Sequence, residues 1–94
     1  MDKNLEAYLK SLDFDDEDIE NFCILVPSLE YVEYQQALDC IEAVVKAGYP
    51  NDDIDSLIFS NPGFLVCDPK YIANKLAALG DDVEAKLKAD PTLI

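Results

Sequence analysis

Apolar residues recur along this chain at helical spacing, and proline, glycine and aspartate punctuate them. Leu5, Tyr8, Leu9 and Leu12 stand at i, i+3, i+4 and i+7 and predict a first amphipathic helix, with Asp2 or Asn4 as its cap. Asp13-Phe14 makes a break. Asp15 then offers an N-cap, and Asp16, Glu17 and Asp18 fill the first turn, where carboxylates suit the helix dipole. Ile19, Phe22, Cys23 and Val26 repeat the apolar stripe until Pro27 stops it. Leu29 and Val32 read as a short apolar linker. A longer helix follows from about Glu33 to Ala47, with Ala37, Leu38, Ile41, Val44 and Val45 inward and Gly48 at its end.

The next stretch contains the clearest unit. Ile54, Leu57 and Ile58 share one helical face, and Asn61-Pro62-Gly63 ends that helix because proline lacks the N–H and disfavours a helical residue before it. Its start lacks an ideal cap; Asn51 stands where one could act. Phe64, Leu65 and Val66 form an apolar plug. Asp68-Pro69 opens another helix, with Ile72, Leu76 and Leu79 inward and Gly80 placed to close it. Asp81-Asp82 lead into a last short helix carrying Val83 and Leu87. Pro91 stops it, and Leu93-Ile94 form an apolar tail. No stretch alternates with period two long enough for a strand, so the pattern predicts an all-α fold.

The spacings repeat. Ile19 to Pro27, Ile54 to Pro62 and Val83 to Pro91 are each eight residues. The first two units are offset by 35 residues, with Asp18-Ile19 falling on Asp53-Ile54 and Leu29 on Phe64, and the third follows after 29. Periods in this range mark helical solenoids, whose units bury their faces against their neighbours. The expectation is one domain over residues 1–94, built as a short solenoid of about two and a half units, roughly 5–44, 45–79 and 80–94.

Gly48, Asp53-Ile54, Leu57, Asn61-Pro62, Phe64-Leu65, Asp68-Pro69, Lys75-Leu76 and Leu79 together resemble the mitochondrial transcription termination factor (mTERF) repeat. Asp18-Ile19, Pro27 and Leu29 fit it in part, as do Gly80, Asp82-Val83, Pro91 and Leu93. The resemblance implies a right-handed helical solenoid. It also implies nucleic-acid binding along a basic concave surface and a role in transcription or gene expression. The basic residues available to that function here are Lys70, Lys75, Lys86 and Lys88.

Charge points elsewhere. Twenty acids face seven lysines, with no arginine and no histidine, for a net charge of −13. Residues 1–69 hold sixteen acids and three lysines, whereas residues 70–94 hold four of each. Nucleic-acid affinity comes largely from Lys and Arg replacing counterions, so this balance disfavours nucleic acid and favours a basic protein partner. The acids of Asp15, Asp16, Glu17 and Asp18, and Glu30 and Glu33 with the neighbouring Tyr31 and Tyr34, are the candidate contact residues. Tyrosines near turns serve either as core edges with a wet hydroxyl or as interface anchors.

Catalytic and metal chemistry find little support in the residues. An EF-hand loop starting at Asp13 needs Gly at 18 and Glu at 24, and the chain has Asp18 and Ile24. Cys23, Cys40 and Cys67 are odd in number and widely spaced, which argues against a disulfide framework and, without histidine, against zinc. Nothing basic such as His or Arg stands ready to activate a thiol, so packing is the expected role. Asp52 and Asp55 are the carboxylate pair to consider for acid–base work, but acids this abundant at helix ends are usually solvated. No phosphate loop or Ser–His pair is present. The expectation is a non-catalytic interaction module without cofactor. The apolar runs are too short to span a bilayer. The N-terminus lacks the order of a signal or transit peptide, which makes the cytoplasm the expected location.

Overall fold

Asp2 starts the first helix and ties it down. Its Oδ1 accepts from the backbone N–H groups of Asn4 (2.8 Å) and Leu5 (3.3 Å), while Oδ2 accepts from Tyr34 N at 3.0 Å, across 32 residues of sequence. These donors, Tyr34 first, hold the Asp2 carboxyl below the usual carboxylate range. The computed structural model describes residues 1–94, and every regular element is helical: α1 (Lys3–Ser11), α2 (Asp16–Leu25), α3 (Tyr34–Lys46), α4 (Ile54–Ser60), α5 (Pro69–Leu79) and α6 (Val83–Ala89). Short 3-10 turns at Pro27–Glu30, Asn51–Asp53, Pro62–Val66 and Pro91–Leu93 connect them.

The breaks follow local chemistry. The residue before each stopping proline is forced out of the helical region: Val26 has φ/ψ −131/82, Asn61 −148/70 and Asp90 −147/93. α1 and α3 end alike. Asp13 (φ 69) and Gly48 (φ 118) take left-handed conformations, so that Phe14 N bonds back to Leu9 O (3.3 Å) and Tyr49 N to Val44 O (3.2 Å). Phe14 and Tyr49 are thereby turned into the core. The order helix, proline-opened 3-10 turn, helix occurs at 16–46 and again at 54–79, and the two prolines that open these turns, Pro27 and Pro62, lie 35 residues apart.

α3 lies at the centre, packed on α1, on α5 and on the 62–66 turn. The apolar plug expected there is the heart of the core, with Phe64 and Leu65 inaccessible to solvent. One continuous cluster joins these to Leu5, Leu9, Leu29, Ile41, Val44, Leu57, Ile58 and Ile72, and reaches Val83 and Leu87 of α6. The radius of gyration of 12.4 Å is that of a compact chain of this length. Leu93 and Ile94 fold back against the core, where Asn61 Nδ2 donates to Pro91 O (2.9 Å) and to Ile94 O (3.4 Å).

Two residues of α3 depart from the expected stripe. Leu38 and Val45 are half-buried, and Cys40 is fully buried in their place. The reason is the Pro62–Val66 turn, which covers the Ala37–Cys40–Val44 side of α3. Cys40 Sγ donates to Cys67 O (3.2 Å), and Gln36 Nε2 bonds the carbonyls of Val66 (3.2 Å) and Cys67 (3.1 Å). Asn51 does not cap α4 with its side chain; a 3-10 turn over Asn51–Asp53 leads into that helix instead. No helix is long and apolar enough to cross a membrane.

Candidate functional site

The candidate acids divide by what they already do. Asp15 and Asp18 close a reciprocal capping box: Asp18 N donates to Asp15 Oδ1 (2.8 Å) and Asp15 N to Asp18 Oδ2 (3.1 Å). Asp16 meets Lys10 Nζ at 3.0 Å, and Lys10 also meets Glu6 at 3.0 Å. Glu17 has no cation within ion-pair distance. The run is therefore first a helix start, and Glu17 is its freest charge.

The second candidate group lies beyond the other end of α2, a ten-residue helix roughly 15 Å long. Glu30 is held by the Met1 ammonium at 3.3 Å; the nearby Cys23 thiol, and after it this ammonium, keep its carboxyl below the usual range. Burial, helped by Glu30, pushes the Cys23 thiol up to about 11. Tyr34 is half-buried and tilted against Tyr8, with ring centroids 6.1 Å apart. Tyr31 is 87% exposed, and Glu33 is exposed beside it. Tyr49 is fully buried, whereas Tyr71 is exposed under Lys75, whose Nζ stands 5.4 Å from its ring centroid. The two candidate groups thus form separate patches.

The lysines do not gather into a stripe. Lys86 Nζ donates to Leu79 O at the end of α5. Lys88 turns the other way, bridging Asp53 (2.9 Å) and Glu84 (2.9 Å), and these carboxylates raise its pKa. Two residues apart on a helix means about 200° of rotation, so one surface cannot present both. Lys70 and Lys75 are exposed on α5.

The thiols are packed. Burial raises the Cys40 thiol to about 12 and also raises that of Cys67, whose Sγ donates to Gly63 O at 3.4 Å. Asp52 is exposed and Asp55 half-exposed, and Asp55 only accepts from the following Ser56 N. No group of three or more His, Cys, Asp or Glu residues is arranged to hold a metal ion.

Two further features were missed in the pattern of residues. The largest surface depression, about 650 Å³, runs between α3 and α5 over Ala43, Ala73, Leu76 and Ala77, with Asp39, Glu42 and Lys46 around it. Ile24 (68%) and Leu25 (71%) at the end of α2 and Phe59 (63%) of α4 are exposed. The signal for the last was present: Ile54, Leu57 and Ile58 already fill the inward arc of α4, so Phe59, a further 100° round, has to face out. Comparison with family models, curated proteins and solved structures gives no match.

Proposed function

We propose that the chain is a short helical-repeat module, without catalytic activity, that binds a protein partner of basic character through its acidic surface. Uncompensated charge carries this reading. Of twenty acids, only Glu6, Asp16, Glu30, Asp53 and Glu84 stand in an ion pair with a cation of the chain. The others concentrate counterions that a basic surface can displace, which favours fast, salt-sensitive association.

The repeat part of the reading has its own support. Position 59 of α4 faces α2, where the Phe59 and Phe22 rings lie 6.3 Å apart. Position 88, which follows Val83 as Phe59 follows Ile54, faces α4 through the Lys88–Asp53 bridge. Position 24 holds the same place in α2, has no helix of that row before it, and leaves Ile24 exposed. Such equivalence is what a stacked array of units produces, and it is the architecture that the mTERF-like pattern implies.

The test is a fluorescence anisotropy titration with a labelled twelve-residue peptide of Arg and Leu, and in parallel with labelled duplex DNA, at about 50 mM and about 200 mM salt. Peptide binding that weakens with salt, and that falls further in Glu17→Gln/Glu33→Gln, is expected. Salt-sensitive DNA binding with no peptide binding overturns the proposal in favour of a nucleic-acid function using Lys70 and Lys75.

A further inference from the structure

The α2–α4 seam carries a built arrangement of apolar and acidic groups. Asp18, Phe22 and Leu25 lie at i, i+4 and i+7 on one face of α2, and Asp55 and Phe59 lie at i and i+4 on the facing side of α4. Between the helices runs a groove of about 490 Å³ lined by Leu12, Phe14 and Phe59, by the acids Asp13, Asp18 and Asp55, and by Ser56 and Ser60. No lysine lines it, and none of the three carboxylates is in an ion pair. Lys10 and Lys88 are occupied elsewhere, Lys10 by Glu6 and Asp16 and Lys88 by Asp53 and Glu84.

Phe59 is held in place although it is 63% exposed. Its ring meets Phe22 edge-on (6.3 Å, 79°), and Phe22 meets the buried Phe14 in the same way (5.0 Å, 87°). An aromatic row therefore runs from the core to the surface and fixes the outermost ring before any partner arrives, which removes part of the ordering cost of binding. Rigid, exposed aromatics of this kind are the residues that anchor interfaces.

We propose that this groove is the docking site for a cationic amphipathic segment of a protein partner. An Arg or Lys of the segment enters between Asp13, Asp18 and Asp55 and lies against the Phe59 ring, and a neighbouring apolar side chain packs on Phe59 and Leu25. The choice of occupant follows from complementarity. An aromatic face beside three unpaired carboxylates attracts a cation by charge and by its quadrupole. The exposed apolar area favours a segment with its own apolar side chains over a simple polycation. An anionic segment or a phosphate is repelled. The inference rests on the basic-partner reading above and adds its location and chemistry.

The experiment is an amide NMR titration of the isotope-labelled full chain with the same Arg/Leu peptide at about 50 mM salt, together with anisotropy affinities for variants. Chemical-shift changes are expected at residues 12–18 and 55–60. Phe59→Ala is expected to weaken binding about fivefold, as loss of one cation–π contact implies, and Phe59→Lys to weaken it more by adding a like charge. Asp13→Asn/Asp55→Asn, which leaves the α2 capping box intact, is expected to weaken it severalfold, with amide spectra of all variants remaining those of the folded chain. Shifts confined to residues 30–34 or to α3 and α5, with Phe59→Ala and Phe59→Lys binding as tightly as the parent, overturn the groove while leaving the basic-partner reading standing. Absence of any peptide binding overturns both.

Discussion

Asp15→Ala separates what the acidic run does for the helix from what it does for a partner. The substitution removes the acceptor of the Asp18 N–H, 2.8 Å away, and leaves only the reciprocal half of the box, from the residue 15 N–H to Asp18 Oδ2. Loss of such a cap costs about 1 kcal/mol, within a range of about 0.5–2. With a urea slope of about 1.5 kcal/mol/M, typical of small domains, the unfolding midpoint should fall by about 0.7 M. Asp15→Asn keeps an acceptor oxygen at an equally favoured cap residue. It gives up a helix-dipole interaction of about 0.3–1 kcal/mol, but it relieves repulsion from Asp16, Glu17 and Asp18, so its midpoint should lie close to the parent. Glu17→Gln removes a charge without a partner and should leave the midpoint unchanged or raise it slightly. Urea unfolding followed by far-UV circular dichroism measures all three. An unshifted midpoint in Asp15→Ala, or an equal loss in Glu17→Gln, refutes the division of roles. The same division dictates how binding is tested: neutralising all four acids together would confuse a frayed helix with a lost contact.

Phe64→Ala empties the centre of the core, where Phe64 is inaccessible to solvent, and should cost about 3–5 kcal/mol of a total of about 5–14; a midpoint within error of the parent would be inconsistent with a core centred there. The Cys23 and Cys40 thiols, raised to about 11 and about 12, and the raised Cys67 should react with an aromatic disulfide reagent at neutral pH only slowly, and promptly in urea; prompt native reaction of Cys40 would contradict its burial. Asp2 is depressed by its backbone donors, so its contribution to stability is present above the unfolded carboxylate value of about 3.9 and lost as pH falls through the lower folded value. The destabilisation in Asp2→Ala attributable to that ionisation should accordingly be full at neutral pH and shrink in acid, as read by urea midpoints across pH. Added salt should raise the thermal midpoint, because screening relieves the self-repulsion of a chain at net −13; a fall would mean that the few ion pairs dominate.

The helices were legible because their limits are local. Proline fixes the conformation of the residue before it, and Val26, Asn61 and Asp90 all obey. Asp2, Asp15 and Asp68 cap from their own side chains. The apolar plug at Phe64-Leu65 needed only its composition. The errors arise where a distant element decides. Leu38 and Cys40 are both compatible with an inward arc on α3, and the side of the helix that is covered depends on where the Pro62–Val66 turn lands, some 25 residues along the chain.

Charge behaves differently from apolar pattern, and this is why the candidate site was only half visible. A carboxylate's sequence neighbours say whether it can cap a helix; they do not say whether a cation from elsewhere will reach it. Asp53 is neutralised by Lys88, 35 residues on, and Asp55, two positions away in the first turn of α4, is not. Glu30 meets Met1, 29 residues back, while Glu33, three positions along, meets nothing. Each pairing is set by packing, and packing also determines that the unpaired Asp13, Asp18 and Asp55 converge on one groove. Phe59 completes the contrast. Its outward position follows from the crowding of Leu57 and Ile58 beside it, but only the fold shows that outward on α4 means toward α2, against Phe22 and among three carboxylates. A surface that joins an anchored aromatic to unpaired charge is more specific than net charge alone, because it asks a partner for geometry as well as sign.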